Sequence, residues 1–83
     1  MRAFLYTWST CSFCKRAKEL LDRHGVAWDE RVLDGDRALA QRLAQRFGQS
    51  TMPYVMLDDE PIGGLKELEA LAAQGELGPV HEE

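Results

Sequence analysis

The chain has 83 residues and a formal net charge of −4, which is one domain's worth and near the lower size at which a core holds without covalent staples. Its two cysteines, Cys11 and Cys14, lie too close in sequence to tie distant parts of a fold, and this excludes a structural disulfide framework. No run approaches the roughly 20 apolar residues of a membrane span or forms a signal h-region, and the acidic balance argues against the broad basic surface that nucleic acid needs. The expectation is a single domain over 1–83 with a frayed tail over 78–83, monomeric, cytoplasmic, and with neither nucleic acid nor membrane as a partner.

Ala3-Phe4-Leu5-Tyr6-Thr7 is a short apolar β-former run, expected to be a central strand buried on both faces. From Ser12 to His24, Cys14, Ala17, Leu20 and Leu21 share one helical face, and Gly25 supplies the stop. A second strand falls within Val26 to Leu33. Asp34-Gly35-Asp36 then gives turn and N-cap chemistry to a helix from Arg37 to Phe47, with Leu39, Leu43 and Phe47 as its apolar stripe and Gly48 as its end. Tyr54–Leu57 and Glu60–Ile62 flank Asp58-Asp59 as a hairpin. Gly63-Gly64 opens a third helix from Leu65 to Ala73. The order β-α-β-α-β-β-α combines a right-handed parallel crossover with an antiparallel hairpin, an α/β fold with a four-stranded mixed sheet and three helices.

Two thiols separated by two residues at the first turn of a helix can form a disulfide without reorganising the fold. Cys11 sits where the unpaired N–H groups and the positive end of the helix dipole point, which favours its thiolate. Cys14 lies one turn inside and is expected to be buried. The Cys11 thiolate can attack a substrate disulfide, and Cys14 can then displace the substrate by attacking the Cys11 sulfur. Lys15, Arg16 and Lys18 follow directly and make the site locally positive, or else form a solvated face pairing with Glu19 and Asp22. Half of a zinc site is the alternative for the cysteine pair, but only His24 and His81 are available to complete it. His24 reads as a cation suited to the last helical turn, and His81 receives no role. Pro53 belongs at the start of its strand, because it cannot donate to a ladder. A cis bond there would leave the Met52 backbone free to pair with an extended substrate.

With these residues in view, the chain resembles the glutaredoxins, from Leu5-Tyr6-Thr7 through Cys11-Ser12-Phe13-Cys14 and Thr51-Met52-Pro53 to Ile62-Gly63-Gly64 and the last helix. The resemblance implies a thioredoxin-like fold, a cis peptide before Pro53, and Cys11 and Cys14 as the catalytic pair. It also implies glutathione as cosubstrate, in a groove formed by Phe13, Lys15, Gln49, Thr51, Met52, Pro53, Gly64, Leu65, Lys66 and Glu67. The chain departs from the family pattern at several of these places. Ser12 and Phe13 stand where many members carry Pro-Tyr, and Ser12 restores an N–H and loosens the first turn. Trp8 stands where many carry a lysine, leaving Lys15, Arg46 or Gln49 to meet a glutathione carboxylate. Leu65-Lys66-Glu67 replaces the frequent Cys-Asp-Asp, so Lys66 inverts a charge while the helix N-terminus can still receive a carboxylate.

The function implied is glutathione-dependent reduction of protein disulfides and of protein–glutathione mixed disulfides. Two alternatives remain beside it: a redoxin recharged by thioredoxin reductase, and a dimeric carrier whose [2Fe–2S] cluster is held by Cys11 of two chains with two glutathiones. No metal is expected in the monomer.

Overall fold

The computed structural model describes residues 1–80. Its elements are β1 (Arg2–Thr7), α1 (Ser12–Arg23), β2 (Ala27–Val32), α2 (Arg37–Phe47), β3 (Tyr54–Leu57), β4 (Glu60–Gly63) and α3 (Leu65–Ala73). This is the expected β-α-β-α-β-β-α order. The four strands form one sheet in the order β2-β1-β3-β4, with β1 parallel to β2 and antiparallel to β3.

The period-2 alternation of the strands sorts side chains onto two faces. Ala3, Leu5, Val55 and Leu57 join Ala17 and Leu21 of α1 and Leu65 and Leu68 of α3 in one core. Met52 and Tyr54 join Leu33 and Leu43 on the opposite face, with Tyr6, Leu39 and Phe47 packed against them. Each fully buried leucine contributes about 1.5–3 kcal/mol relative to exposure. β1 is central, as its composition suggests, but it is not buried equally on both faces. Ala3, Leu5 and Thr7 are closed to solvent, whereas Phe4 and Tyr6 are half-buried, their tilted rings 5.1 Å apart, with Tyr6 packed against the cluster that α2 covers.

Helix ends follow local chemistry. Gly25, at φ +66°, follows the α1 C-cap His24, and Val26 N–H and Gly25 N–H return to the carbonyls of Leu21 and Asp22, a Schellman closure. The Asp36 carboxylate caps α2 by accepting from Leu39 N–H at 3.2 Å, as read from the sequence. Asp58 and Asp59 both adopt positive φ, the pattern of a two-residue type I′ hairpin.

His24 is the C-cap of α1, at the helix end as expected, but it is not solvated. Its ring is buried, and Nδ1 lies 2.9 Å from the Gly78 carbonyl, while the neighbouring Leu77 is buried in the α1/α3 core. Of the tail expected to fray over 78–83, Gly78 is held by His24 and by its own N–H to the Gly75 carbonyl, while His81 and the rest of 81–83 lie outside the described residues.

Candidate active site

The turn from β1 into α1 places both cysteines at the C-terminal edge of the sheet. Cys11 is the N-cap of α1, with extended backbone, and Cys14 N–H points at its sulfur at 3.1 Å. The two are joined as a disulfide with a Cα–Cα separation of 5.2 Å, inside the range this bond requires. Cys11 is partly accessible, and Cys14 is 1% exposed among Leu33, Leu43, Met52 and Tyr54. On reduction, the N–H groups of the first turn and the helix dipole favour a thiolate at Cys11. Cys14 remains within reach of the Cys11 sulfur, so the geometry supports attack by one thiol and resolution by the other.

The preceding loop is braced from the side. Ser9 donates its backbone N–H (3.1 Å) and its hydroxyl to the Asp34 carboxylate, joining the β1–α1 loop to the β2–α2 loop. These two bonds hold the Asp34 carboxyl below its ordinary value, the hydroxyl contributing most. Trp8 is exposed beside this brace.

A groove of about 240 Å³ opens beside the cysteines, lined by Phe13, Arg16, Gln49, Thr51, Met52, Gly64, Leu65, Lys66, Glu67 and Glu69. The Met52–Pro53 peptide is cis, as the family resemblance implies, and strand pairing begins only at Tyr54, leaving Met52 outside the ladder. Gln49 shapes this wall. Its Nε2 donates to the carbonyls of Thr51 (2.9 Å) and Pro53 (3.1 Å), while the Tyr54 hydroxyl donates to the Gln49 carbonyl at 3.0 Å. Burial raises the Tyr54 phenol above its usual value, so it stays a donor. The opposite wall is the start of α3, where Gly64 N–H donates to Glu67 Oε1 at 2.8 Å. Gly64 lets this turn approach closely, since a Cβ would lie 3.0 Å from Gln49 Nε2 and 3.3 Å from the Pro53 carbonyl.

Most of the residues named from the sequence meet here: Phe13, Gln49, Thr51, Met52, Gly64, Leu65, Lys66 and Glu67 line one groove. Pro53 is buried and outside the lining, behind Gln49, whose Nε2 donates to its carbonyl. Lys15 and Arg46 are exposed and outside the lining. Arg16, read from the sequence as a cation near the cysteines but not as a groove residue, lines the groove, as does Glu69, which the sequence reading did not single out. The 13/16 spacing on α1 places Arg16 beside Phe13 and was a usable signal, whereas Glu69 is brought in by the packing of α3 on α1.

The cations of α1 do not pair with Glu19 and Asp22. Arg16 reaches Glu69 at 3.1 Å and Lys18 reaches Glu30 at 3.2 Å, while Asp22 accepts from Trp28 Nε1 at 2.8 Å. Their partners sit on neighbouring elements because α1 lies between α3 and β2. Among the described residues, no group of three or more His, Cys, Asp or Glu side chains is placed to hold a metal ion, so the cluster alternative requires a second chain. No helix of the described residues is long and apolar enough to cross a membrane.

The glutaredoxin family model matches residues 3–62. A probable glutaredoxin of Synechocystis sp. is 43% identical over 77 residues, covering 92% of this chain and 88% of the relative. Glutaredoxin 3 of Escherichia coli is 41% identical over 76 residues, with 92% of each chain covered. The solved structure of a buckwheat glutaredoxin–glutathione complex superimposes with a TM-score of 0.84 at 28% identity, covering 90% of this chain and 71% of that one. The dithiolic glutaredoxin 2-C-Grx1 of Trypanosoma brucei brucei gives 0.80 at 28% identity, covering 92% and 81%. With its cysteine pair in disulfide contact at the head of α1, the chain belongs to the glutaredoxin family and is a thiol–disulfide oxidoreductase.

Proposed function

We propose that this chain is a cytoplasmic, glutathione-dependent oxidoreductase acting on protein–glutathione mixed disulfides and on protein disulfides. The observation that carries the reading is the groove shared by Phe13, the Thr51-Met52 backbone and the start of α3, open beside the cysteine pair. It has room for a peptide-sized thiol and offers backbone groups at Met52 and at the first turn of α3. A buckwheat relative was solved with glutathione bound, which supports the same ligand class here.

On a glutathionylated protein, the Cys11 thiolate attacks the glutathione sulfur. The protein thiolate leaves and takes a proton from solvent. A second glutathione thiolate then attacks the glutathionyl sulfur on Cys11, giving glutathione disulfide and regenerating Cys11. On a protein disulfide, Cys11 forms a mixed disulfide with one substrate sulfur. Cys14 then attacks the Cys11 sulfur and releases the second substrate thiol, leaving the Cys11–Cys14 disulfide for two glutathiones to reduce.

Cys14→Ser tests the division of labour. The variant is expected to keep most of its activity on a glutathionylated peptide and to lose reduction of a protein disulfide. Both assays are run with glutathione and its reductase, and in parallel with thioredoxin reductase. Turnover by the parent protein with thioredoxin reductase alone would overturn the glutathione reading.

A further inference from the structure

The groove contains an ion pair that the thiol chemistry does not use. Arg16 Nη2 and Glu69 Oε2 are 3.1 Å apart, with side chains 56% and 49% exposed, and both line the groove. The guanidinium carbon lies 5.9 Å from the centroid of the Phe13 ring, so the side chain between the two cysteines holds the cation at the groove.

We propose that Glu69 is an internal stand-in for a carboxylate of the thiol ligand: it occupies Arg16 in the free protein and yields it when the ligand enters. The inference rests on the glutathione reading and makes it more specific by naming Arg16 as the ligand's carboxylate receptor.

Five observations favour exchange over a structural tie. The pair is largely in water, where an ion pair adds little to stability. It also joins helices that already pack through Ala17, Leu21, Leu65 and Leu68. The contact uses one nitrogen of a fork that can bind a carboxylate through two parallel bonds, so an incoming carboxylate can match or better it. Glu67, the other groove carboxylate, already accepts from Gly64 N–H. Lys66 lines the same groove and forms no ion pair among the described residues, which adds a second cation for an anionic ligand. Glutathione carries two carboxylates. Trading Glu69 for one of them leaves Arg16 paired and returns Glu69 to solvent.

Calorimetric titration with S-methylglutathione, which cannot form a disulfide, tests the exchange on the oxidised protein. Glu69→Gln is expected to bind about threefold tighter than the parent, and Arg16→Gln about threefold to tenfold weaker. The double variant is expected to match Arg16→Gln alone, because Glu69 acts only through Arg16. Unchanged or weaker binding by Glu69→Gln overturns the proposal. Equal tightening by Glu69→Gln in the Arg16→Gln background also overturns it, since the carboxylate would then act as bulk charge. If the parent itself fails to bind the probe, the glutathione reading falls and this inference with it; binding by the parent with no change in the variants defeats the exchange alone. Thermal unfolding of each variant separates lost binding from lost folding.

Discussion

Cys11 and Cys14 are three positions apart, yet their surroundings are opposite. Cys11 caps a helix, is partly accessible and receives Cys14 N–H at its sulfur; Cys14 is packed among apolar side chains at 1% exposure. The dipole and the free N–H groups act on Cys11, and burial disfavours charge at Cys14. In the reduced protein at neutral pH, Cys11 is therefore expected to alkylate at least about tenfold faster than Cys14. Mass spectrometry after a brief iodoacetamide pulse reads this directly, and equal rates would contradict the unequal roles. Arg16 shows how a residue's surroundings revise its reading. As one of three cations after the cysteines it could be read as local positive charge at the site or as solvated helix surface, and with Phe13 on one side and Glu69 on the other it is part of the groove.

The turn from β4 into α3 shows the same dependence at the scale of an element. Gly63 adopts φ +119°, and a Cβ there would lie 2.7 Å from Glu67 Oε1 and 2.8 Å from its Cγ. The bare backbone is thus needed for the Glu67 carboxylate to fold back onto Gly64 N–H and cap the helix. Gly63→Ala is expected to cost about 1–3 kcal/mol, lowering Tm by roughly 5–20 °C, and to raise KM for glutathionylated substrate by disturbing the groove wall. Gly35 makes the comparison, since it also has positive φ (+82°) but no atom within 4 Å of a Cβ. Gly35→Ala is expected to lose less stability and to leave KM in place. Thermal unfolding with paired kinetics checks both, and equal losses would mean that the close approach to Glu67 is immaterial.

For the molecule as a whole, the two faces of the sheet are covered unequally. α1 buries Ala17 and Leu21, and α3 buries Leu65 and Leu68 beside them, whereas α2 contributes one buried side chain, Leu43, to the other face. Elements with few buried apolar contacts open at lower free energy than the core. Backbone amides in the middle of α2 are accordingly expected to exchange with deuterium faster than those in the middle of α1. Equal protection would show that the molecule opens only globally. Tyr6, packed against the cluster that α2 covers yet only half-buried, expresses the same imbalance from the side of the sheet.

Much of this organisation is local and therefore present in the sequence itself. Helix starts and stops come from Asp36, Gly25 and Gly48, the hairpin from Asp58-Asp59, and the asymmetry of the cysteines from their place at a helix head, because capping, turn chemistry and hydrophobic period act over a few residues. The opposing groove walls at Thr51-Met52 and the start of α3 came only from the family resemblance. Tertiary structure decided what depends on elements far apart in the chain: Arg16 with Glu69, Lys18 with Glu30, and the buried ring of His24 with Gly78. A charged side chain chooses among all partners within a few ångströms, and which ones come that close is set by how the helices pack on the sheet rather than by sequence spacing. The thiol chemistry was thus written into a single helical turn, while the set of charges that surrounds the groove exists only once α1 and α3 lie side by side.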